Sequence, residues 1–159
     1  MKRETWFLKL AVIVLTLPVI GGCALALPHI WREATVSGGW VQASIQPIVI
    51  GMYVAAVPFF YALYQTFKLL GYIDQDEVFS LETVRALRHI KYSAVIITAV
   101  YAMTLPFFYW FAERDDAPGF LLIGLVFVFA SFVVAVFAEL LQKLLGRAID
   151  MKQENDLTV

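Results

Sequence analysis

The sequence predicts an all-α integral membrane protein, a four-helix bundle whose last helix continues as a cytoplasmic extension at the C-terminus. Three observations carry this. Hydrophobic residues make up 61% of the 159 and charged residues only 16%, far more apolar than an ordinary soluble domain. Four apolar segments are each long enough to cross a hydrocarbon layer of about 30 Å, which takes roughly 20 helical residues. Lys and Arg, finally, cluster in alternate connections between those segments.

The first segment, about residues 6–27, has Lys9 near enough to its end to snorkel. Its far end, Ile20-Gly21-Gly22-Cys23, also has the look of a lipoprotein cleavage site, in which small residues precede a cysteine. The apolar run, however, continues through Ala24 to Leu27 before Pro28, which favours an uncleaved helix ending at that proline. Residues 28–46 then read as an outer loop, with Ser37-Gly38-Gly39 as its turn and Trp31 and Trp40 as interfacial anchors.

The second segment, about 45–70, is long enough to tilt and should end at Gly71. Asp74 to Glu77 read as an acidic turn and Ser80 as the cap of a new helix. No Gly or Pro interrupts 80–105, so the third crossing, about 92–111, is expected to begin outside the membrane and to carry Arg85, Arg88, His89 and Lys91 at the headgroups. Glu113 to Gly119 form a short acidic turn, with Asp115 or Asp116 as a cap and Pro118 near a helix start. The fourth crossing, about 120–141, leads into a tail, 142–159. The whole chain, 1–159, is expected to be a single domain.

Ten of the twelve Lys and Arg lie in the N-terminal segment, the middle connection and the tail; only Arg32 and Arg114 lie in the other two connections. By the positive-inside tendency both termini are expected to be cytoplasmic. A formal net charge of -1 gives no nucleic-acid-binding surface, so no direct contact with nucleic acid is expected. One Cys and two His cannot make a disulfide framework or a closed zinc site. No phosphate-cradling glycine loop or nucleophile with a base partner is present. The expectation is a protein that is not an enzyme and takes no cofactor.

Two groups of residues invite a functional reading. Tyr53, Tyr61, Tyr64, Gln65 and Lys68 fall on about a third of the second helix's circumference at ~100° per residue. Such a stripe lines a solute path or hydrogen-bonds to neighbouring helices, and Glu139 pairs with Lys68 if the second and fourth helices touch. On the fourth helix Gly124, Ser131, Ala135 and Ala138 make a small-residue face for close approach of another helix. Pro18, Pro58 and Pro106 are candidate kinks. The second group is the tail, where Leu140, Leu141, Leu144, Leu145, Ala148 and Met151 gather on one side. With Arg85, Arg88, Lys143, Arg147 and the acidic Glu154-Asn155-Asp156 it offers a surface to a partner.

The stretches Cys23-Ala24-Leu25-Ala26-Leu27-Pro28 and Asp116-Ala117-Pro118-Gly119, the phenylalanine- and alanine-rich fourth helix, and the ending Glu154-Asn155-Asp156-Leu157-Thr158-Val159 resemble an uncharacterised family of small four-helix bacterial membrane proteins. The resemblance covers essentially the whole chain. It implies a neighbouring small helix-turn-helix regulator and no established catalytic or ligand residues. The expected function is therefore a sensor or sequestering partner of that cytoplasmic regulator, with membrane lipid and a homo-oligomer as the other expected partners. The competing expectation is a transport, export or immunity protein working through the polar stripe.

Overall fold

The computed structural model describes residues 2–75 and 79–158 and is helical almost throughout. α1 spans Lys2–Gly21, a π turn Gly22–Ala26 and α2 Leu27–Ser37, and these three run on without a break. α3 spans Gly39–Asp74, α4 Leu81–Arg114 and α5 Pro118–Thr158. Among the described residues four stretches are long and apolar enough to cross a membrane. Large aliphatic and aromatic side chains stay exposed along all four, the pattern of a surface solvated by lipid.

Several boundaries differ from the sequence reading, each for an identifiable reason. Pro28 does not end the first helix, because it occupies the first turn of α2, where its missing N–H is tolerated. The π turn takes up the register change: the Leu27 N–H donates to the Gly22 carbonyl, five residues back. The expected outer loop is therefore two helices meeting at one residue. Gly38, at φ 65° and ψ -167°, and Gly39, at φ 58°, adopt backbone conformations that a side chain would oppose. The joint is locked by a relay across it. The Gln42 amide donates to Gln46 (3.4 Å), the Gln46 amide to Thr35 Oγ1 (2.9 Å), and the Thr35 hydroxyl to the Trp31 carbonyl (2.8 Å).

α3 does not stop at Gly71 but continues to Asp74; of the acidic turn, Asp76 and Glu77 lie outside the described residues. Ser80 has the extended backbone of an N-cap residue, with its hydroxyl 3.1 Å from Thr83 Oγ1. Between α4 and α5, Asp116 is left-handed (φ 53°). The Ala117 N–H bonds the Ala112 carbonyl at 2.9 Å, the six-to-one bond of a Schellman ending, and Pro118 opens α5.

Each helix packs chiefly on its sequence neighbour: α1 and α2 on α3, α3 on α4, α4 on α5. The small residues of α5 explain its closeness to α4. A Cβ built on Gly124 would lie 2.9 Å from the Phe108 ring, and Ala135 and Ala138 are buried. Gly124, Val128, Ser131, Ala135, Ala138, Gln142, Leu145 and Ile149 are all buried or half-buried. Their alternating steps of four and three make the seam of a coiled coil. Gly51 plays the same part between α3 and α4, where an added Cβ would sit 2.5 Å from Thr104 Cγ2. The best-packed region is the half nearest the Gly38 and Asp116 turns, built on Leu27, Ala34, Ile45, Ile48, Val49 and Phe108. Phe120 sits over Phe108 and Phe111 with ring centroids 4.9 and 4.6 Å away.

Candidate functional site

At 1.5 Å per residue the 36 residues of α3 reach about 54 Å and the 41 of α5 about 62 Å, against a hydrocarbon layer of about 30 Å. Both helices are therefore longer than one perpendicular crossing of that layer requires. At the end of the bundle that carries the chain termini, the first turns of α4 and the last turns of α5 pack together as a hairpin. Thr83, Ala86 and Leu87 are buried there with Ile149, and Lys152 Nζ lies 6.0 Å from the centre of the Phe79 ring. Arg85, Arg88, Lys143 and Arg147 are all exposed, because each stands off the buried seam. Glu154 and Asn155 are exposed in the final turns; the side chain of Asp156 lies outside the described residues. The apolar side of this extension is not quite the expected one: Leu145, Ala148 and Ile149 face the hairpin, while Leu140, Leu141, Leu144 and Met151 remain exposed.

The polar stripe of α3 does not act as a unit. The Tyr53 hydroxyl donates to the Cys23 carbonyl at 2.8 Å, and the covalent chemistry next to Cys23 explains why. In the i to i+5 register set by Leu27, the next donor to that carbonyl would be the N–H of residue 28, which is proline and has none. Tyr53 supplies the missing bond, as polar side chains do for backbone groups freed by proline within membranes. Further along, the Tyr61 ring meets His89 edge to face at 5.8 Å and Lys68 Nζ lies 5.4 Å from the centre of the Tyr64 ring. Gln65 is buried. The expected Lys68–Glu139 pair does not form. α3 and α5 share no extended interface, and Glu139 Oε1 instead lies 3.6 Å from Lys143 Nζ, one turn away on its own helix.

A site that the sequence reading did not single out opens between α1 and α5. These two helices have no extended contact with each other, and a cavity of about 660 Å³ separates them. α1 and the π turn form one wall (Pro18, Gly22, Cys23) and α5 the other (Phe127, Ala130, Ser131). α3 and α4 make the floor, through Ala55, Ala62, Ala94 and Tyr101 among others. The groove is almost wholly apolar. None of Tyr53, Tyr61, Tyr64, Gln65, Lys68 and Glu139 lines it. Of the polar groups that do, Thr66 and Ser131 donate to carbonyls of their own helices, Ala62 and Phe127, each at 2.8 Å. Cys23 and Tyr101 contribute the thiol and the phenol, and the Tyr101 ring stacks on Phe127 at 5.4 Å. The one signal for this groove in the sequence is the small residues of all four helices, and those are equally a sign of close packing.

Comparison with known proteins fits this architecture. A family described as protein of unknown function (DUF2975) matches residues 39–159, from the Gly39 start of α3 to the end of the chain. The chain belongs to this family. It is also 48% identical over 158 residues, 99% of each chain, to the uncharacterized membrane protein YoaS of Bacillus subtilis (strain 168). No solved structure matches it. The DUF2975 match and the YoaS relative establish a membrane protein with four candidate spans.

Proposed function

We propose that this DUF2975 protein is a non-enzymatic receptor in the bacterial plasma membrane, both termini cytoplasmic, that holds a small helix-turn-helix regulator on the α4–α5 hairpin. The observation that carries this reading is the hairpin itself. It is a packed helical platform at the end of helices longer than one crossing requires, with four exposed cations, Arg85, Arg88, Lys143 and Arg147, standing away from its seam. The orientation follows from the ten Lys and Arg on that face against two on the other, and the class of partner comes from the family resemblance. The charges suggest how capture would work. A DNA-binding protein presents a basic face to phosphate, and the last turns of α5 carry Asp150, Glu154 and Asp156, which compete for that face while the four cations engage an acidic side. Such an association is steered by charge and weakens with salt.

The test is affinity capture of the full chain from gently solubilised native membranes, beside a chain carrying Arg85→Glu, Arg88→Glu, Lys143→Glu and Arg147→Glu. These positions are exposed and lie off the buried seam. The expected result is a small helix-turn-helix protein retained by the unaltered chain, released by raised salt and lost on charge reversal. Equal retention by both chains, or no such protein on either, overturns the reading. A transport, export or immunity role through the tyrosine stripe gains nothing from the geometry, because the stripe lies outside the groove.

A further inference from the structure

We infer that the groove between α1 and α5 is a binding site for a lipid-soluble quinone, an apolar tail bearing a planar ring with carbonyl oxygens. The inference is independent of any protein on the α4–α5 hairpin. The lining runs along α3 from Met52 to Thr66, about 21 Å at 1.5 Å per residue, and about 660 Å³ lies within the range of small-molecule sites, roughly 300–1,000 Å³. Walls this apolar select an apolar occupant.

Besides the weakly polar Cys23 thiol, one group gives the site its polarity. The Tyr101 hydroxyl has no hydrogen-bond partner among the described residues, whereas Thr66 and Ser131 are satisfied by their own carbonyls. A phenol in hydrocarbon without an acceptor is costly, so the fitting ligand brings one. Depth decides which. Tyr101 is nine residues from Tyr92 and ten from Phe111, the two ends of its apolar stretch, or about 14 Å from either end. Phospholipid ester carbonyls stay near the headgroups and do not reach it. A quinone dissolved in the membrane core carries its carbonyl to that depth, beside the aromatic side chains of Tyr101 and Phe127 that line the groove.

The experiment uses the purified full chain in detergent with decylubiquinone as probe. Binding is read by native mass spectrometry and by protection of Cys23, the chain's single cysteine and a groove residue, from alkylation by N-ethylmaleimide. The expected result is one quinone per chain and slowed alkylation. Tyr101→Phe should weaken binding roughly tenfold, the loss of one hydrogen bond. Ala130→Trp, which fills the groove from an exposed position on its wall, should abolish it. Phosphatidylglycerol should neither compete nor protect. Absence of quinone binding to the folded chain, unchanged binding by either variant, or equal protection by phosphatidylglycerol overturns the inference.

Discussion

Tyr53 shows how one backbone defect determines a side chain's role. Pro28 removes the donor for the Cys23 carbonyl, the π turn fixes the register in which that donor is missed, and a tyrosine thirty residues away restores it. Tyr53→Phe should therefore destabilise the protein by about 1 kcal/mol, the net worth of a hydrogen bond whose loss orphans its acceptor. In a Pro28→Ala background the chain can supply its own N–H, and the same substitution should be nearly neutral. Denaturation of the four proteins in detergent measures the coupling; strictly additive effects would refute the compensation. This link was not visible in the sequence. Tyr53 was legible as one of five polar residues on a helical face, but its partner is a backbone atom exposed by a proline on another helix.

Glycine plays two different parts in the elements. Gly38 makes the joint between α2 and α3 in a backbone conformation reserved for it, so Gly38→Ala should cost about 1–3 kcal/mol. Gly71 lies inside α3, with nothing within 4 Å of an added Cβ. Gly71→Ala should stabilise the protein by about 0.5–1 kcal/mol, whereas at a helix-ending cap it would do the reverse. Thermal denaturation of the two variants reads both signs at once. From sequence, both glycines looked like punctuation, because a glycine after an apolar run has the same appearance whether the helix stops or continues. The spans themselves were legible, since their apolar lengths are set by the membrane. So was the unbroken helix that begins near Ser80, because no Gly or Pro interrupts it before Pro106. Pro28 misled because a proline tolerated in a first turn and one that ends a helix leave the same mark.

For the molecule as a whole, the open seam between α1 and α5 lies beyond what composition and periodicity convey. Small residues such as Gly22, Ala55, Ala94 and Ala130 allow close approach, and only their arrangement on four helices shows that they surround a space instead. The placement of the hairpin is tested by its sidedness. In a Cys23→Ser background, Val36→Cys, 88% exposed at the end of α2, should react with a membrane-impermeant maleimide in intact cells. Gln153→Cys should react only after the cells are opened; the opposite pattern would put the hairpin outside the cell. Shortening the chain at Arg147 would be a poor test of what the hairpin binds, since it also removes Ile149 from the seam and Lys152 from Phe79. The most direct measurement of the central claim leaves the helix whole. A photoreactive benzoylphenylalanine is placed at Arg147 on the hairpin, or at the exposed, mid-span Phe129, and irradiated in living cells. The account predicts a crosslink to a small helix-turn-helix protein from position 147 and none from position 129. No crosslink from 147 to such a protein, or the same product from both positions, would contradict it.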